Sequence, residues 1–375
     1  MANTPFRGTG GGLARIDRLG WAVAAGALAL AALGGARQVA GGKLKRSQVS
    51  NSVAAPSLAA VVERGRGRQA ASVHEIPVAG WKDIARRTYR EFQEDNILLI
   101  SAGVTFYTLL AFFPGLAAFV ALYGLAADVH DARVQIQSMS TVLPHEVITF
   151  IGDQMLRAAS AKSQGLSLAL VGGLALSIWS ANGAIKAMIL GLNIAYEEEE
   201  KRSFLIRTGI SLAFTLGFLL LAALLAATSV SVAAAAAWFG PAGAVLAAWL
   251  RWPILALGVV AAVTVLYRYG PSRDRAKWRW VSWGAAGVTV VWVAASIGFS
   301  FYLDRFAHYD ATYGPLGAAI AFMMWTYLSA VILLCGAEFN AEAEHQTFKD
   351  TTSGPSKPLG LRGAAMADSI GAAQG

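Results

Sequence analysis

The sequence predicts an all-α fold: a polytopic membrane bundle of six main transmembrane helices, with an interfacial amphipathic helix before it and disordered tails on either side. Three observations carry this. The 375 residues are 55% hydrophobic and only 14% charged, whereas a soluble domain is about a quarter charged. Six apolar stretches follow one another, at Ile97–Ala126, Leu166–Leu192, Phe204–Ala237, Trp252–Tyr267, Val281–Tyr302 and Pro315–Ala337. A hydrocarbon core of ~30 Å needs ~20 apolar residues, and lipid offers the backbone no hydrogen bonds, so such stretches are helices. The net charge of +8 also gathers in the first 95 residues and in alternate loops.

Taken in order, residues 1–80 are expected to be a basic, mostly disordered tail. It opens on Gly8, Gly10, Gly11 and Gly12 and runs through a small, polar, basic stretch where Arg64, Arg66 and Arg68 alternate with other residues. Such a composition cannot bury a core. It serves either as a solvated linker or as an attachment to anionic lipid headgroups, each basic residue contributing ~1 kcal/mol near the surface. One apolar segment at 20–36 interrupts it, and the Ala/Gly-rich tract Trp21–Ala36 is taken as a weak extra span or surface helix rather than a cleaved signal.

The membrane domain is expected over 81–344. Trp81, Ile84, Ala85, Thr88, Tyr89 and Phe92 recur at helical spacing, with Lys82, Arg86, Arg87, Arg90, Glu91 and Glu94 opposite. That pattern predicts a helix lying in the interface plane. From Arg37 to Arg90 there are eleven Lys/Arg, and the loops after the second and fourth spans carry Lys201, Arg202, Arg207 and Arg268, Arg273, Arg275, Lys277, Arg279. The loops after the third and fifth spans have only Arg251 and Arg305. Positive-inside therefore places both ends of the bundle in the cytoplasm. The longer first loop, with Pro144 before Val147, Ile148, Ile151 and Met155, predicts a helix on the outer mouth. Residues 345–375, with Gly354, Pro355, Pro358 and Gly360, are expected to be a disordered tail.

Polar residues inside spans mark a bundle interior or a cavity. Ser101, Thr105 and Tyr107 precede Pro114, a possible hinge, in the first span. Asn182, Lys186 and Asn193 fall near one face of the second. Glu338 and Asn340 close the sixth. Asn182, Lys186, Asn193, Glu338 and Asn340 are therefore the candidate polar site. Two readings of its charges stay open: Lys186 snorkels to headgroups and Glu338 marks the helix end, or the two pair inside the bundle at matching depth.

Three blocks resemble the YihY/BrkB family of bacterial inner-membrane proteins, over about Trp81 to Glu344. They are Asp95-Asn96-Ile97 with Ser101 to Tyr107 and Phe113-Pro114; Trp179 to Ala187 with Leu192 to Tyr196 and the acidic run Glu197–Glu200; and Tyr313 to Ala318 with Trp325 to Ser329 and Gly336 to Glu342. The resemblance implies a multi-pass protein of the bacterial inner (plasma) membrane, six helices and cytoplasmic ends. It also brings a borrowed label, ribonuclease BN, and a supposed transport role.

The residues favour a transporter or permease-like protein, or a lipid-handling one, of unknown substrate; a scaffold without transport is the alternative. Small residues at Gly314/Ala318 and Gly317/Ala321 allow close helix approach. Catalysis is not expected. The five histidines, His74, His130, His145, His308 and His345, are scattered, and no phosphate loop, HExxH or GxSxG appears. No metal, cofactor or nucleic-acid partner is expected, and the lone Cys335 leaves no disulfide within the chain. The partner is the lipid bilayer itself.

Overall fold

In the computed structural model the apolar stretches are helices of 29 to 34 residues. The structure describes residues 63, 65–126, 166–237, 240–306 and 316–374. A short 3-10 turn, Val73–Glu75, leads into α1 (Val78–Glu94). Then come α2 (Ile97–Ala126), α3 (Leu166–Ala195), α4 (Phe204–Ala237), α5 (Gly240–Tyr269), α6 (Trp278–Phe306), α7 (Leu316–Glu344) and a single turn, α8 (Ala365–Asp368). Among the described residues the only β pairing is an isolated bridge between Ala276 and Thr352. The tract at 20–36 and the helix expected after Pro144 lie outside the described residues.

Three of these stretches, Trp252–Tyr269, Trp278–Leu303 and Ala319–Glu344, are long and apolar enough to cross a bilayer; the described parts Ile97–Ala111 and Phe204–Phe218 are shorter apolar segments. α5 begins a dozen residues before the expected fourth span and carries Pro253 inside it. α7 runs past the expected end, so that Glu338 to Glu344 are helical.

The helices pack in chain order, α2 on α3, α3 on α4, α4 on α5, α5 on α6 and α6 on α7, and α7 closes on α2. α7 also touches α3, across the ring. Two contacts set these in parallel register: Gly191 meets the Leu334 side chain, and Tyr196 meets Asn340. The shared core includes Ile97, Ile189, Leu192, Leu266, Tyr267, Val281, Leu334 and Ala337. Large apolar side chains face outward, among them Leu99, Leu190, Leu220, Leu257, Val290 and Ile297. An outside this apolar suits lipid rather than water.

Several span hydroxyls need no site to explain them. Thr105, Thr215, Thr264, Thr289, Thr326 and Ser329 each donate to the carbonyl four residues back. This satisfies the hydroxyl where lipid cannot. Ser329 and Ser296 also accept from the indoles of Trp292 and Trp325, which ties α6 to α7.

The tails are corrected at their inner ends. Residues 345–374 are not a loose linker: they fold back under the bundle. Lys277 N donates to Thr351 O, Gly371 N donates to His345 O, and Arg362 is held by the carbonyls of Ala367, Phe348 and Lys357. Residues 65–77 pack too, burying Ala70, Val73 and Ile76 with Ile84, Trp280 and Ala343. Composition alone misses this because each segment buries little by itself. Docked together at a water-facing end, such side chains contribute roughly 1.5–3 kcal/mol apiece when large.

Candidate functional site

α1 positions the first part of the site, and its buried side is not simply apolar. Asp83 and Arg87 are buried beside Ile84, while Tyr89 is exposed. Arg87 pairs with Glu342, donates to Gln346 Oε1 at 2.7 Å and to the Ala372 carbonyl at 3.0 Å. Asp83 takes Arg66 at 2.7 Å and the Gln374 amide at 3.0 Å. α1 therefore docks on α7 and on the C-terminal segment through ions that are desolvated and matched.

The expected polar site divides on inspection. Asn193 is a clamp: it donates to Glu200 Oε2 at 3.0 Å and accepts from Ser272 N at 2.8 Å, joining the two basic loops. Burial raises the Glu200 carboxyl, but Arg202 and Asn193 outweigh it and hold it down to about 2. Asn340 donates to the Tyr196 hydroxyl at 2.9 Å and packs against Gly284, where an added Cβ would collide with the Asn340 amide. Both asparagines thus secure the end of the bundle. Asn182 is buried with no partner for its Oδ1 among the described residues. Pro114 lies within α2.

Lys186 and Glu338 do not pair. The Lys186 ammonium sits 5.4 Å from the centre of the Phe204 ring. With Gly191 level with Leu334, Glu338 stands about nine residues further along the bundle than Lys186, or about 13 Å at the helical rise. Each lies near the same end of its span, but packing register, not distance from the span boundary, sets relative depth. Neither Lys186 nor Arg207, which begins α4 nearby, belongs to an ion pair among the described residues, and Arg207 Nε is buried without an acceptor.

An apolar cavity of about 510 Å³ lies between α4 and α5, lined by Ile210, Phe214, Phe218, Leu221, Ala261, Val265 and neighbours. Its α4 lining continues the helical face on which Arg207 stands. This groove was missed in the sequence because its lining looks like any apolar helix face.

Glu338 faces another carboxyl. It is 1% exposed, and neither of its oxygens meets a donor among the described residues. Against it stands Asp95, the residue that ends α1. Burial, with Glu91, Glu197 and Glu94 around it, pushes Asp95 up to about 6. Burial likewise raises Glu197, whose backbone is held at a φ of 53°. Non-glycine residues seldom adopt that conformation, which concentrates at functional or constrained positions. Asn96, next to Asp95, shares it. No group of three or more His, Cys, Asp or Glu stands ready to hold a metal among the described residues.

Residues 88–359 match the family model described as virulence factor BrkB. The chain belongs to this family. Among its relatives is YfkH of Bacillus subtilis, whose name calls it ribonuclease-like: it is 32% identical over 248 residues, covering 64% of this chain and 88% of YfkH. UPF0761 membrane proteins also match. That of Nitrosospira multiformis is 28% identical over 70% of this chain and 61% of its own length. That of Rhodospirillum centenum is 29% identical over 76% of this chain and 63% of its own length. The chain thus spans less than two thirds of those two relatives. No solved structure matches. As a BrkB-family chain with long apolar helices, this is a membrane protein.

Proposed function

We propose that this BrkB-family protein is a six-span protein of the bacterial inner membrane that handles an anionic phospholipid, with both bundle ends in the cytoplasm. The observation that carries the lipid reading is the apolar groove between α4 and α5, whose α4 lining begins at Ile210, one turn after Arg207 on the same helix face, with Lys186 close enough to Arg207 to feel its charge. An acyl chain suits the groove, and a phosphate suits two cations that have no acidic partner among the described residues. A closed polar cavity would instead favour a small solute.

Gly217 lines the groove, and a Cβ added there meets no atom within 4 Å. A Gly217→Phe side chain therefore enters the groove without disturbing the helix. Purified protein exposed to a photo-reactive phosphatidylglycerol should label on α4 or α5. Labelling should fall several-fold in Gly217→Phe and in Arg207→Gln, with melting temperature unchanged. Equal labelling in all three proteins defeats the proposal.

Orientation is tested separately. A cysteine introduced at Arg275, in a protein lacking Cys335, should react with a membrane-impermeant reagent only after cells are opened; reaction in intact cells reverses the topology. The name of YfkH invites a ribonuclease reading instead. RNA digestion that co-purifies with the protein and vanishes on substituting Glu197–Glu200 would reinstate it.

A further inference from the structure

At its loop end the groove between α4 and α5 runs into aromatic rings and guanidiniums. Arg202 donates to Gly270 O at 2.9 Å, and Lys201 N donates to Ser272 Oγ at 3.0 Å. These bonds set the start of α4 beside the end of α5, so Ile210 and Tyr269 line the same end of the groove. Two guanidiniums lie over the Tyr269 ring, Arg275 at 5.1 Å and Arg268 at 5.5 Å from its centre. A cation within about 6 Å of an aromatic centre is attracted to the ring. Trp278, half exposed at the start of α6, meets Tyr269 edge-on. Tyr and Trp gather where acyl chains give way to headgroups. The two arginines differ. Arg268 is buried and fixed: it lies 4.3 Å from the centre of the Trp278 ring and donates to Ala276 O and Ser353 Oγ. The Arg275 side chain is exposed, while its backbone is pinned by Ser353 N, which donates to Arg275 O at 2.7 Å next to the bridge of Ala276 with Thr352. Neither guanidinium pairs with a carboxylate among the described residues, and the acids of these loops are taken: Asp274 pairs with Lys357, Glu200 with Arg202, and Glu198 with Lys201.

We propose that Arg275, seated on Tyr269, is the headgroup ligand of the groove: the acyl chain lies between α4 and α5, and the lipid phosphate meets the Arg275 guanidinium at the loop end. This rests on the lipid reading of the groove and adds a selectivity to it. A ring contact leaves the N–H fork of an arginine available, and that fork matches a phosphate. Arg268 places a second unpaired positive charge beside the same ring, so a headgroup that carries its own ammonium is repelled. The preferred lipid has a phosphate and no amine, as phosphatidylglycerol does. The C-terminal segment holds the loop that carries the ligand, through Ser353 and Thr352.

The test uses the full chain in phosphatidylcholine vesicles that carry a trace of photo-reactive phosphatidylglycerol or photo-reactive phosphatidylethanolamine. Phosphatidylglycerol should label α4 and α5 of the wild type several-fold more than phosphatidylethanolamine does. In Arg275→Gln its labelling should fall to the phosphatidylethanolamine level, with phosphatidylethanolamine labelling and melting temperature unchanged. Lys82→Gln, which removes an exposed cation from α1, should keep the preference. Excess inorganic phosphate should leave the labelling as it is. A preference that survives in Arg275→Gln, or that Lys82→Gln removes equally, overturns the proposal while the lipid groove stands. So does equal labelling of the wild type by both lipids that Gly217→Phe still blocks. Displacement of the lipid by inorganic phosphate overturns it too, because Arg275 would then take a soluble anion. No labelling of the wild type by either lipid removes the lipid reading itself, and this proposal with it.

Discussion

Replacing Arg273 with methionine should lower the stability of the folded protein by about 3–5 kcal/mol. Arg273 and Glu344 have side chains 0% exposed, and they meet at 2.7 and 3.1 Å. The guanidinium also lies over the Tyr196 ring at 4.1 Å, and Thr351 donates to the same carboxylate at 2.9 Å. One ion pair therefore joins the α5–α6 loop, the end of α3, the end of α7 and the C-terminal segment. Removing the arginine leaves Glu344 buried without its cation, and that penalty dominates. The double change Arg273→Met with Glu344→Gln should be milder than the sum of the two singles, because it leaves no orphaned charge. Lys357, whose pair with Asp274 is 41% and 51% exposed, supplies the contrast. Its alanine variant should leave the melting temperature nearly unchanged, because water and salt screen an exposed pair. Thermal melts in detergent decide the matter: an Arg273→Met loss as small as that of Lys357→Ala would mean the buried pair contributes nothing particular.

The second large effect is expected at Gly336, where α7 passes α6. A Cβ there would collide with Val288 and stand 2.9 Å from the Tyr267 hydroxyl, which donates to Leu333 O. Overpacking of this kind costs about 1–3 kcal/mol. Gly209, on α4, has no atom within 4 Å of its added Cβ. There alanine brings only its better helix propensity, worth up to about 1 kcal/mol. Gly336→Ala should therefore lower the melting temperature while Gly209→Ala holds or raises it. Equal shifts in both variants would show that helix propensity, not contact between α6 and α7, governs these glycines.

Much of the candidate site could be named from sequence, but not its arrangement. Asn193, Glu338 and Asn340 stand out as polar residues near span ends, and all three are buried where helices converge. Their partners do not stand out. Ser272 and Tyr196 answer the asparagines from loop positions, and Asp95 looks like an ordinary helix end. Arg207 looks like one more basic residue of an inner loop. Arg87 sits on what periodicity makes the polar face of α1, yet it is 1% exposed because the C-terminal segment folds over it.

What the amino-acid sequence determined by itself is the helical class, the start of α2 at Ile97 and of α4 at Phe204, and membrane residence. Those depend on local quantities: the length of an apolar run, and a backbone that must satisfy its own hydrogen bonds where there is no water. Only the tertiary structure decided who meets whom. Lys186 and Glu338 are apart, and Glu338 and Asp95 together, because helix register is set by close contacts such as Gly191 on Leu334 and Gly336 on Val288. The closing of residues 65–77 and 345–374 under the bundle was decided there too. Each of those segments is too polar to fold alone, and its hydrogen-bond partners lie far away in the chain, in surfaces that exist only once the helices have packed.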